Sequence, residues 1–280
     1  MKTAPNPWAL RGPPAAAASV CCDLVGHASV EATPEMISTL RLKPGPDGGR
    51  SFPASFLKHA DEQTVVGLSA VLHAIHEHGL GDLDLTDWAI LGAPRFLGRN
   101  ALAVALQRYR LEGAWGISPH LIPHRSLHSL SGTVSQALEV HGPNFGVSGG
   151  LNAADEALLV AATLLAGDGI PGVWTVLSGY DPEPIPENTT ATPPAQSTQS
   201  APPVCRAVAL ALVPARPASP LLKLQIAAGP MAAREDETAE GDLPPFYFES
   251  LLEELGRPAP CGGWRLHCGG CVELGGGAEN

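Results

Sequence analysis

The chain has few basic residues: 17 Lys and Arg stand against 28 Asp and Glu in 280 positions, a formal charge of −11. That balance argues against binding nucleic acid or an anionic membrane through charge, and no basic cluster restores either option. Long apolar runs are missing as well. No uninterrupted stretch approaches the roughly 20 residues of a membrane span. The N-terminus, Met1 to Pro14, is broken by prolines, and the alanine run at 15–18 is too short for a signal h-region. The expectation is a soluble, cytoplasmic protein.

Cysteine is scarce too. Cys21, Cys22, Cys205, Cys261, Cys268 and Cys271 are few for this length, and without a secretory signal they do not suggest a disulfide framework. Cys268-Gly-Gly-Cys271 is a single C-x-x-C that, with Cys261 and His267, offers zinc-type ligands. Structural zinc sites of this kind usually pair two such knuckles. Plain thiols in a Gly-rich strand end are the simpler reading, and no metal or cofactor is expected.

What the chain does have is 44% hydrophobic residues, enough for one sizeable core. Residues 18–26 form a short apolar run of strand type ending in Gly26. From Ala54 to His78, Phe56, Val65, Leu68, Val71, Leu72 and Ile75 recur at helical spacing, with Gly79 as the stop. Residues 88–93 form a continuous apolar run, as expected for a strand covered on both faces. Helical spacing returns over 100–109 and again over 126–140. Then His141-Gly142-Pro143 turns the chain, 144–147 reads as a short strand, and Gly149-Gly150 leads into a helix over 152–166. That helix carries Ala and Leu almost all round, so burial in the centre of the fold is expected. Residues 173–178 form another buried strand.

This alternation predicts an α/β layered domain. It is followed by a Pro/Ser/Thr-rich loop at 182–204, a hairpin of strands at 206–213 and 221–226, an acidic stretch with Glu235, Asp236, Glu237, Glu240 and Asp242, a short helix at 246–255 and an edge strand over 264–274. The expected organisation is a disordered 1–17, a domain over 18–228, and a tail over 229–280.

The unit SPHLIPHRSLHSLSGTVSQALEVHGPNFGVSGGLNAADEALLVAATLLAGDG, with the following VWTVLSGYDPE, resembles the N-terminal half of the β-ketoacyl synthases of thiolase-like fold. The likeness extends loosely over 18–228, and its specific motifs lie within 119–183. In that family the residue opening the central helix is a nucleophilic cysteine, activated by the helix N-terminus. Counting from Gly142-Pro143, that position falls on Leu151, which has no nucleophile. Nothing after Ile226 matches the family's two histidine motifs.

The resemblance therefore implies an α/β, thiolase-like layered sandwich of one incomplete repeat, without independent catalysis, and of the chain-length-factor type. Gly142, Pro143, Asn144, Phe145, Gly149, Gly150 and Leu151 are the expected binding surface. The implied partner is an active ketosynthase in a heterodimer, or a second copy, meeting across residues 144–147. Acyl-carrier protein is reached only through that partner's basic face.

A different chemistry is written into the same corner. Gly146-Val147-Ser148-Gly149-Gly150 matches G-x-S-x-G, the nucleophile elbow of serine hydrolases and thioesterases, and Asp181 or Asp242 and then His267 follow in the right chain order. Small residues crowding a tight strand-to-helix corner explain the glycines equally. The remaining histidines admit two readings. His73, His76 and His78 on one helix could bind metal, but a solvated helix end explains them more simply. His120, His124 and His128 recur at four-residue steps and either line a groove or sit partly exposed at a helix entry.

Overall fold

The structure, a computed structural model, describes residues 18–147, 150–167, 169–184, 202–215, 223–228, 243–267 and 270–275. Its frame is one eight-stranded mixed sheet in the order β3-β2-β4-β5-β1-β6-β8-β7. The strands are β1 (Ala18–Ala32), β2 (Ala89–Pro94), β3 (Asn144–Gly146), β4 (Val173–Asp181), β5 (Val204–Pro214), β6 (Lys223–Ala228), β7 (Gly262–Arg265) and β8 (Cys271–Gly275). β2, β3 and β4 run parallel, and every other neighbouring pair is antiparallel. The helices are α1 (Pro34–Leu40), α2 (Glu62–Glu77), α3 (Arg99–Glu112), α4 (Leu121–Arg125), α5 (His128–Leu138), α6 (Ala153–Ala166) and α7 (Phe248–Leu255).

Strand periodicity sorts the core into two layers. Along β5, Ala207, Ala209, Ala211 and Val213 face the side covered by α1, α2 and α5. Val208, Leu210 and Leu212 face the side covered by α6 and α7. Alternation of this kind is what a strand dictates when both faces are covered. The small alanines stand where α2 lies close to the sheet. Gly67 on α2 sits so tightly that a Cβ would come within 2.6 Å of the Leu130 side chain and 3.1 Å of Val176. The α2 N-terminus is capped by Asp61, whose Oδ1 accepts from the Gln63 backbone N–H at 3.0 Å, an arrangement worth about 1 kcal/mol. The expected α/β layered sandwich is thus present, with helices on both faces of a mixed sheet.

Several expectations change. The first strand does not stop at Gly26 but runs on to Ala32 through a bulge at residues 24–26. Glycine is needed there because the end of α2 comes close: a Cβ would meet the Leu80 side chain at 2.7 Å and the His78 Cβ at 3.3 Å. β5 and β6 do not pair as a hairpin, since β1 lies between them. The helical spacing over 54–78 covers a helix only from Glu62, after turns at 54–59. The run 264–274 folds back as two strands, β7 and β8, rather than one. α1 has no counterpart in the sequence reading.

The C-terminal elements belong to this sheet and core. β8 pairs with β6, and Phe246, Phe248, Leu251, Trp264 and Leu274 pack in the same layer as α6. No helix among the described residues is long and apolar enough to cross a membrane.

Candidate functional site

The parallel strands end together, and a crevice opens beyond the carboxyl ends of β2 and β4, lined by Ala93, Arg95, Leu151, Ala154, Ser178 and Phe248. Open α/β sheets place their sites in this position. The approach to it is built by close packing. His141 and Gly142 donate their N–H groups to the Thr86 carbonyl at 2.7 and 3.2 Å, and the Pro143 carbonyl accepts from Ile90 at 2.8 Å. A Cβ on Gly142 would overlap the Trp88 carbonyl, and one on Gly146 would overlap the Leu127 backbone. Asn144 and Phe145 pair with Ile90 and Leu91 in parallel register, and Val147 N–H donates to the Gly92 carbonyl at 2.8 Å. Gly142 and Gly146 therefore answer to backbone contacts, whereas a Cβ on Gly150 would meet nothing within 4 Å.

Ser148 and Gly149 lie outside the described residues, as do Cys268 and Asp242. Gly150 and Leu151 form the turn into α6, with Asn152 as its N-cap. Leu151 stands at the entry of the helix and is 60% exposed. α6 itself is not buried all round. Ala153, Ala154, Ala157, Leu158, Ala161, Ala162 and Leu165 face the sheet and α7, while Leu159, Val160 and Leu164 are only half-buried. The sheet covers one face of the helix, and a continuous run of Ala and Leu does not reveal how many faces find a partner.

The first turn of α6 carries Asp155 and Glu156, which complement the partial positive charge of a helix N-terminus. Asp155 is 3% exposed and accepts the backbone N–H of His267 at 2.7 Å. Burial holds its carboxyl above the usual range, against the opposing hydrogen bond from His267.

A polar network flanks the crevice that the sequence did not single out. Arg95 donates through Nη1 to Glu249 Oε1 at 2.9 Å and through Nη2 to the Tyr180 carbonyl at 2.5 Å. Gln63 Nε2 donates to the Arg95 carbonyl at 2.8 Å, and the Ser178 hydroxyl donates to Gln63 Oε1 at 3.1 Å. Glu249 arrives on α7, so the C-terminal helix closes one side of the crevice. Partners this far apart in the chain leave no local signal.

The other singled-out residues disperse. Asp181 pairs with Arg206 at 2.7 Å, away from His267, whose carboxylate neighbour is Asp155. His73 faces Glu77 on its own helix at 3.5 Å, and the ring of His78 meets the His27 carbonyl at 2.9 Å. His128 lies at the start of α5 beside Ser131. Cys261 and Cys271 are free thiols, and the described residues contain no group of three or more His, Cys, Asp or Glu placed to hold a metal ion.

Fold and site together define a mixed-sheet α/β protein whose strand–turn–helix corner at the carboxyl ends of its parallel strands presents leucine at the helix entry. No family model matches the chain, and no curated protein matches it in sequence. Solved structures similar to it include ketosynthases and ketosynthase/chain-length-factor complexes. One is a β-ketoacyl synthase from Burkholderia phymatum (13% identity, 70% of this chain and 59% of that one, TM-score 0.48). Another is a ketosynthase in complex with its chain length factor from Xenorhabdus doucetiae (14%, 73% and 60%, TM-score 0.47). A third is the ishigamide ketosynthase/chain length factor (18%, 73% and 65%, TM-score 0.47). The chain spans about three fifths of the length of these structures.

Proposed function

We propose that this chain is a non-catalytic β-ketoacyl-synthase-like subunit, a chain-length-factor-type partner of an active ketosynthase in polyketide, aryl-polyene or fatty-acid-type biosynthesis. The observation that carries the reading is Leu151. It sits at the turn into α6, where the resembled family holds its nucleophilic cysteine, and its aliphatic side chain can neither attack an acyl group nor exchange a proton.

The exposed edge supports a partner. Among the described residues β3 ends the sheet, paired only with β2, and Phe145, Leu127 and Leu151 are each exposed. The excursion α3–α4 also exposes Leu102, Leu106, Tyr109, Leu111, Trp115 and Ile122. Clusters of this kind on a chain mark interaction sites. An active ketosynthase is the proposed occupant, with self-association as the second arrangement. A net acidic chain leaves the docking of an acidic acyl carrier to the partner.

Affinity purification of the tagged chain from its native host, followed by mass spectrometry, tests this reading. An intact ketosynthase is expected to co-purify in stoichiometric amount, and a folded chain that brings down none rejects the proposal. One contact favours a second reading, a serine hydrolase or thioesterase using Ser148: His267 is held beside the first turn of α6 through Asp155. A fluorophosphonate probe labels Ser148 if that chemistry operates, and absence of labelling removes it.

A further inference from the structure

Three imidazoles, one at position 59 and two at 120 and 124, meet on one face of the molecule. His59, in the turns before α2, stacks on His120 with centroids 4.6 Å apart and planes 2° from parallel. His124, one turn further along α4, lies 5.8 Å from His59 and 6.1 Å from His120, tilted to both. Parallel stacking at this separation is an attractive arrangement for uncharged rings. It becomes repulsive once more than one of them is protonated.

Few other bonds hold this place. Arg125 donates through Nη1 to the His59 carbonyl at 3.1 Å, and its Nε lies 3.3 Å from Asp61 Oδ2. α4 belongs to the excursion 99–127 that carries the exposed Leu102, Leu106, Tyr109, Leu111, Trp115 and Ile122. The histidine stack and the Arg125 contacts join that excursion to the body just ahead of α2.

We propose that the His59–His120–His124 stack is an acid-released clasp: neutral rings hold α4 and the apolar excursion against the body, and protonated rings let it go. The charged groups around the rings set the sense. Lys58 stands next to His59, Arg125 lies on α4, and Arg41 reaches in from the end of α1; all three disfavour imidazolium. Asp61 and Glu62 are the carboxylates nearby, and Glu62 is drawn to Arg41 at 3.4 Å. His59 and His124 are held below the ordinary histidine value, by loss of hydration first and then by the neighbouring rings and cations.

The clasped form therefore binds fewer protons than the released one. Clasping is at full strength above the ordinary histidine value of about 6.5 and is lost as pH falls below it. Asp61 works the other way. Its carboxyl is pushed up to about 6, by burial first and then by Glu62, so protonation relieves a buried charge in the clasped form. The two rings held low, His59 and His124, act against this one carboxyl.

Hydrogen–deuterium exchange on the full chain tests the clasp, with rates corrected for the intrinsic effect of pH. Between pH 7.5 and 5.5, amides of 118–127 are expected to lose protection several-fold while those of α2 keep theirs. The double variant His59→Phe/His120→Phe retains a ring stack that cannot charge, and is expected to hold its protection at pH 5.5. Equal protection of the wild type at both pH values overturns the proposal, as does an unchanged acid loss in the double variant. Both rings are exposed, so folding survives; if the double variant misfolds, His59→Gln alone, checked by circular dichroism, removes the stack and is expected to show low protection of 118–127 already at pH 7.5, and wild-type protection there overturns the proposal. The experiment needs no partner, so its outcome is independent of whether a ketosynthase binds.

Discussion

The backbone N–H of His267 donates to the Asp155 carboxylate at 2.7 Å, fastening the turn between β7 and β8 to the first turn of α6. This bond joins the C-terminal strands to the helix that opens the candidate site. Replacing Asp155 with Ala removes a part-buried hydrogen bond to a charged group, a loss of about 1–3 kcal/mol. Urea unfolding is expected to show that loss for Asp155→Ala and a smaller one for Asp155→Asn, which keeps an acceptor oxygen. The sign of the pH effect follows from the raised carboxyl value. The folded state binds the proton more readily than the unfolded chain, so this group's contribution is most favourable at low pH and declines as pH rises through the folded value. Asp155→Asn is expected to remove that part of the pH dependence.

Leu151→Cys places a thiol at an exposed helix entry. We expect peptide mapping after iodoacetamide treatment to show rapid alkylation at position 151, and purified variant incubated with acyl-carrier substrates to form no condensation product. Acylation together with product formation would show that the chain retains the rest of a condensing machinery and would contradict the non-catalytic reading.

The Arg95 guanidinium links β2, the end of β4 and α7. Arg95→Ala strands the Glu249 carboxylate and the Tyr180 carbonyl, a loss of about 1–3 kcal/mol. Arg95→Lys keeps the charge but gives up the two-pronged geometry and is expected to recover only part of it. Thermal unfolding monitored at 222 nm measures both.

Gly146→Ala drives a methyl group into the Leu127 backbone, where the atoms in the way are main chain and cannot rotate aside. Overpacking of this kind costs about 1–3 kcal/mol. Gly150→Ala, with nothing within 4 Å of the added atom, is expected to be nearly neutral. Urea midpoints of the two variants give the comparison.

The parts of the fold that were legible in the sequence are those whose pattern is local. Ala89–Pro94 and Val173–Asp181 are continuous apolar runs, and α2 and α5 show their spacing directly. Gly26 reads in the sequence as the end of β1, whereas its meaning is the approach of Leu80 from another element. The order β5-β1-β6 was hidden for a related reason: two strands adjacent in sequence suggest a hairpin, and nothing in either of them announces a third strand between. α1 carries little periodicity, since it has only seven residues, although Thr33 before Pro34 and Glu35 is a start signal for a helix.

At the candidate site, the sequence placed Leu151 at the helix entry but not its exposure, which depends on what covers α6. Arg95, Gln63, Ser178 and Glu249 were invisible because each acquires its role only from the others. His59 was likewise unremarkable until folding set it against His120 and His124.

β1 sits in the interior of the sheet, yet its neighbours on both sides come from far downstream: Ala32 lies against Cys205, Cys22 against Pro214, and Val20 against Ile226. On the ribosome this first strand emerges long before either neighbour exists. Its ladder can close only after residues 204–228 have been made, so assembly of the sheet is governed by contacts of long sequence separation, the kind that slows folding. Until then α2 on one face and α6 on the other are the helices positioned to shield its apolar side chains from other nascent chains.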